Sequence, residues 1–142
     1  MYAGLTIFVF SNLLAQMLSN PICILLVIEH QMVRRQLSAH LMTYEDLKVI
    51  GEAANYAQAL ELCANNKPDV VIVDMNMLVL DGVTLTRALA ENCIASRIIA
   101  ISLFRDENEY QQVINAGAYK YLVKGAPTTE LLEAIREARS DE

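Results

Sequence analysis

Val70-Val-Ile-Val-Asp74, within the longer run Pro68-Asp-Val-Val-Ile-Val-Asp-Met-Asn-Met77, decides how the rest of the chain is read. Four β-branched residues follow one another with no polar alternation. That is the pattern of a central strand covered on both faces, as in a parallel sheet. The run ends on a carboxylate, at the edge where such sheets keep their ligands. Outward from it, four more short β-branched runs read as strands: Ile22–Ile28, Lys48–Ala53, Arg97–Leu103 and Tyr119–Val123. Between the strands, apolar residues recur at helical period: Val33/Leu37/Leu41, Tyr56/Leu60/Cys63, Leu85/Leu89 and Tyr110/Val113/Ile114, with Leu131/Ile135/Ala138 after the last. Gly117 marks the stop of the fourth helix, and Thr128–Thr129 before Glu130 marks the cap of the fifth. Strands alternating with helices of about ten residues imply βαβ units, right-handed crossovers and one doubly wound α/β domain.

Composition narrows the function. The chain has 142 residues, enough for one ordinary core, and its 54% hydrophobic content excludes a disordered or low-complexity protein. Eleven basic against seventeen acidic side chains leave a net charge of −6, which disfavours direct nucleic-acid binding by these residues. Cys23, Cys63 and Cys93 are far apart and form no metal-ligand spacing, so a reducing, cytoplasmic setting with three small buried hydrophobes is expected. Residues 1–20 form an apolar N-terminal extension with no charged side chain before Glu29. It lacks the basic flank of a signal or spanning helix, so membrane association is not expected. An added amphipathic helix and an extension upstream of a natural start at Met17 both remain open.

The chemistry gathers at the carboxyl ends of the strands. The first strand leads into Glu29-His30, the third into Asp74-Met-Asn76, the fourth into Ser102 and the fifth into Lys124. Two carboxylates, a hydroxyl and an ammonium thus reach one rim. Paired carboxylates with a nearby carbonyl suit Mg²⁺. An aspartate can act as nucleophile toward phosphorus, with Lys124 and Ser102 contacting phosphoryl oxygens. Neither G-x-G-x-x-G nor G-x-x-x-x-G-K-[ST] is present, which speaks against a small flavodoxin-like enzyme or nucleotide-binding protein.

Ile22-Cys-Ile-Leu-Leu-Val-Ile-Glu-His30, Val49-Ile-Gly-Glu-Ala53, the Pro68–Met77 run, Asp81-Gly82, Ile98-Ile-Ala-Ile-Ser102 and Ala116-Gly-Ala-Tyr-Lys-Tyr-Leu-Val-Lys124 together resemble the receiver domain of bacterial two-component response regulators. The Lys124-Gly-Ala-Pro127 ending is similar to the NarL/FixJ subfamily. The resemblance implies a flavodoxin-like (βα)5 fold with strand order 2-1-3-4-5 over residues 21–142. It implies that Asp74 accepts a phosphoryl group from a histidine kinase or phosphotransfer protein. Glu29, Asp74 and the Asn76 main-chain carbonyl would hold Mg²⁺, Lys124 would contact the phosphate, and Ser102 and Tyr121 would form the switch. The remodelled surface would be the face of the fourth helix, fifth strand and fifth helix, also the expected homodimer contact. Enzymatic turnover of a separate substrate is not expected. Output would be transcription control through a DNA-binding domain outside this chain.

Three residues depart from that pattern. Ile28 stands where the family carries the first acid of a pair, Glu29 replaces the usual aspartate beside it and is a methylene longer, and Leu78 replaces a common proline. Fewer carboxylates mean weaker Mg²⁺ attraction. The rival reading is therefore a degenerate receiver that binds a partner or a second copy constitutively. Plainer roles are expected elsewhere: Asp81-Gly82 as a helix start, His30 as a helix-start contact, His40 as a helix-face residue and Arg136–Glu142 as a solvated helix end. Tyr121 reads equally as a switch or as an amphipathic edge residue.

Overall fold

The computed structural model describes Gly4, residues 20–77 and residues 81–140. Leu78 and nearly all of the N-terminal extension lie outside the described residues. Among the described residues from Ile22 on, five strands alternate with five helices: β1 (Ile22–Val27), α1 (Gln31–Leu41), β2 (Leu47–Ala53), α2 (Tyr56–Asn66), β3 (Val70–Asp74), α3 (Gly82–Asn92), β4 (Arg97–Ser102), α4 (Glu107–Ala116), β5 (Lys120–Val123) and α5 (Thr128–Ser140). The strands form one parallel sheet in the order β2-β1-β3-β4-β5. This is the expected flavodoxin-like arrangement.

Every residue of β3 is buried, and the period of two divides its side chains between two cores. Val70 and Ile72 join Ile24, Leu26, Ile28, Ile99 and Ile101 under α1 and α5. Val71 and Val73 join Leu25, Val27, Ile98 and Ala100 under α2, α3 and α4. That two-sided burial is why the central strands carry no polar alternation. The chain leaves β1 toward β2, then crosses back past β1 to β3, so strand order reverses between β1 and β3. In open parallel sheets that reversal marks where ligands bind, outside the carboxyl ends of the strands.

Local chemistry sets the helix ends. Asn55 and Asp81 accept the amides of Gln58 and Val83 at 2.9 and 3.0 Å, capping α2 and α3. His30 Nδ1 accepts the Val33 amide at 3.4 Å at the start of α1, the helix-start contact expected of it. His40 is exposed and packs edge-on against Tyr44. Gly117 ends α4 at φ 116°, where a β-carbon would stand 2.7 Å from the Ala90 methyl.

Some boundaries differ from the sequence reading. Thr128 and Thr129 lie inside the first turn of α5, because the Pro127 carbonyl already accepts the Glu130 amide at 2.9 Å. β1 stops at Val27, although the Ile28 amide still pairs with Ala53 at 3.0 Å. Cys63 and Cys93 are buried as expected, whereas Cys23 is only partly so. Burial, with a smaller contribution from neighbouring Cys93, pushes the Cys63 thiol up to about 12.

Candidate functional site

β3 carries Asp74 to the rim of the sheet and leaves it 5% exposed. A buried carboxylate needs partners, and two converge on Oδ1. The Lys124 ammonium lies 2.7 Å away and the Asn76 amide donates at 2.8 Å. Lys124 is aimed by pairing that outlasts β5: its own amide donates to the Ser102 carbonyl at 2.6 Å. Ser102, itself 3% exposed, closes β4 beside it. The loop after β3 is stitched to the loop after β4, since the Leu103 amide donates to Asn76 Oδ1 at 2.8 Å and the Met75 amide to the Ile101 carbonyl at 2.8 Å.

Of the residues singled out in the sequence, Lys124 and Asn76 therefore touch Asp74 directly. Ser102 ends β4 and Glu29 lies two residues past the end of β1, the two strands flanking β3. Glu29 is half-buried. Among the described residues no group of three or more His, Cys, Asp or Glu side chains is assembled as a metal cluster. Glu29, Asp74 and the Asn76 main-chain carbonyl are hard oxygen donors of the kind Mg²⁺ takes, and they would hold the ion with water completing its shell.

Ile28 holds the position where the family resemblance expects an acid. It is fully buried in the cluster beneath α1 and α5, in line with Ile24 and Leu26. Its carbonyl accepts Arg34 Nη1 at 2.8 Å, and Arg34 Nε meets Glu52 Oε1 at 3.1 Å. This clamp from α1 to β2 went unread in the sequence, because eighteen residues separate the two charges and neither spacing nor period links them.

Tyr121 turns inward from β5. It is 6% exposed, packs edge-on against Tyr110 at 5.8 Å, and places its hydroxyl 2.7 Å from Glu109 Oε1 and 2.9 Å from the Phe104 carbonyl. Burial pushes its phenol upward; a hydrogen bond from Ser102 opposes this and Glu109 adds to it. Glu109, like Arg34 and Glu52, went unread in the sequence.

A five-stranded α/β sheet of this order, with polar groups gathered at its switch point, is a flavodoxin-like domain. The chain belongs to the response regulator receiver domain family, whose profile matches residues 24–136. Its relatives place it with the LuxR/NarL type. It is 36% identical over 119 residues to the transcriptional regulatory protein LiaR of Bacillus subtilis, covering 84% of this chain and 56% of LiaR. It is 31% identical over 123 residues to the nitrate/nitrite response regulator protein NarL of Escherichia coli K12, covering 87% of this chain and 57% of that protein. The chain thus spans a little over half the length of the curated relatives it matches. Among solved structures, the receiver domain of the putative response regulator NarL from Mycobacterium tuberculosis superposes with a TM-score of 0.79 at 25% identity, covering 87% of this chain and 99% of that one. The response regulator domain of Thermotoga maritima CheB gives 0.76 at 26% identity, covering 84% and 97%. No helix among the described residues is long and apolar enough to cross a membrane.

Proposed function

We propose that residues 21–142 are a working receiver in which Asp74 takes a phosphoryl group from the phosphohistidine of a histidine kinase or phosphotransfer protein. The observation that carries this reading is the 2.7 Å contact between Lys124 and a nearly buried Asp74 at the switch point. In the transfer, an Asp74 carboxylate oxygen attacks phosphorus, the O–P bond forms and the donor's N–P bond breaks. The leaving imidazole keeps the electron pair and later takes a proton from water. Lys124 turns its charge to a phosphoryl oxygen, and the Ser102 hydroxyl donates to another. Glu29, Asp74 and the Asn76 main-chain carbonyl would hold Mg²⁺, which when bound offsets the charge on the transferring group. The α4–β5–α5 face, with Tyr121 at its centre, carries the change to a homodimer contact. By likeness to LiaR, a transcriptional regulatory protein, the output is transcription control through a DNA-binding portion of a longer protein.

Intact-protein mass after incubation with phosphoramidate, with and without Mg²⁺, tests this. The expected result is a magnesium-dependent gain of one phosphoryl group, abolished in Asp74→Asn. A buried Ile28 and an already buried Tyr121 favour a second reading, a receiver that engages its partner without phosphorylation. No gain at any magnesium concentration selects that second reading.

A further inference from the structure

The start of α4 carries the sequence Asp106-Glu-Asn-Glu109, the spacing of a capping box. In such a box the N-cap side chain accepts an amide three residues on, and the acid at that third position reaches back to the N-cap amide. Half of that arrangement is present: Asp106 Oδ1 accepts the amides of Asn108 and Glu109 at 2.9 and 3.1 Å. The return half is replaced. The Asp106 amide points at the Tyr121 hydroxyl at 3.4 Å, and that hydroxyl lies 2.7 Å from Glu109 Oε1. We propose that the Tyr121 hydroxyl is built into the N-terminal cap of α4, relaying between the Asp106 amide and the Glu109 carboxylate. On this assignment Glu109 is a positioning residue that fixes both the buried place of Tyr121 and the first turn of α4.

The donor count supports this. A phenol has one proton to give and two acceptors nearby, Glu109 and the Phe104 carbonyl. The charged, shorter contact takes the larger share. The weaker contact keeps Tyr121 joined to the β4–α4 loop. That loop is tied in turn to Asn76 through Leu103, and Asn76 to Asp74 Oδ1. A bonded path therefore leads from the rim carboxylate to the first turn of α4. The relay deepens the receiver reading by naming the elements that would move together, but it exists in the protein before any phosphoryl group arrives.

Hydrogen exchange at the amides of residues 106–110 tests the proposal in the unphosphorylated protein. Tyr121→Phe removes only the hydroxyl and leaves the ring in its apolar cluster. Exchange there should quicken on the order of fivefold, the effect of losing one net hydrogen bond. Glu109→Ala should do the same, and the double variant should be no worse than either single one. Glu109→Gln, which keeps an acceptor oxygen, should restore most of the protection. Amides of β1 serve as the folding control and should not change. Exchange in Tyr121→Phe that matches wild type, or single effects that add in the double variant, would overturn the relay. Failure of Asp74 to gain a phosphoryl group leaves these outcomes untouched, so the two ideas fail separately.

Discussion

Ile28 shows how one side chain divides the two readings of the site. It is fully buried with Ile24 and Leu26, so an acid placed there leaves an apolar cluster unfilled unless it turns toward the rim. Ile28→Asp should therefore cost about 2–4 kcal/mol without metal, from lost burial and an uncompensated charge. Mg²⁺ should recover more of the melting temperature in the variant than in wild type, because the new carboxylate adds a ligand. An identical magnesium response in both would show that position 28 does not reach the ion. The cysteines give a second check at this scale. With burial pushing Cys63 up to about 12, its thiolate is scarce at pH 8. Iodoacetamide should modify the partly exposed Cys23 first in the folded protein and reach Cys63 only on unfolding, read by peptide mass. Asp74, Ser102 and Lys124 were legible because each closes an apolar strand, which fixes its place without knowledge of side-chain contacts. Arg34, Glu52 and Glu109 were not, because their roles depend on partners on other elements.

The elements are held at their ends by groups whose removal has a readable sign. Gly117 combines a φ of 116° with a β-carbon direction only 2.7 Å from the Ala90 methyl. Gly117→Ala should destabilise by about 1–3 kcal/mol, measured by urea unfolding, since both strain and contact oppose it. At the far end of α5, Arg136 makes a two-pronged contact with Asp46 at 2.8 and 3.1 Å and lies over the Tyr44 ring. The Arg136 hydrogen bond holds the Asp46 carboxyl below its ordinary value of 3.8 against an opposing effect of burial. The unfolded chain therefore takes the proton first as pH falls. The pair's contribution is whole above 3.8 and drains away as pH drops through the lowered folded value. Both groups are well exposed, so Arg136→Ala should cost only about 0.5 kcal/mol near pH 7. That difference should narrow at acid pH; a constant difference would mean that stacking on Tyr44 carries it. The positions of the ten elements described from Ile22 on were legible from period and strand length. The α5 start was misread because Thr128–Thr129 resembled a cap, whereas Pro127 opens the turn through its carbonyl.

For the whole molecule, the doubly wound class followed from alternation of strand and helix patterns, and from a β3 too apolar to have a solvated face. The strand order did not follow from periodicity; it came from the family resemblance, and the sheet bears it out. Physical reasons explain the gap. A parallel strand buried on both sides carries no mark of which neighbour it pairs with, whereas the polar residue at its end marks the rim it reaches. The two cores meet their helices on opposite faces, so the rim is the place where Asp74, Lys124, Asn76 and the β4–α4 loop come together. The central claim is that this rim makes Asp74 a phosphoryl acceptor. Borohydride reduction of the protein after treatment with phosphoramidate and Mg²⁺, followed by peptide mass mapping, tests it most directly, because reduction converts an aspartyl phosphate to homoserine. The account predicts homoserine at position 74 and nowhere else, dependent on Mg²⁺. An unmodified Asp74, or homoserine at another aspartate, would contradict it.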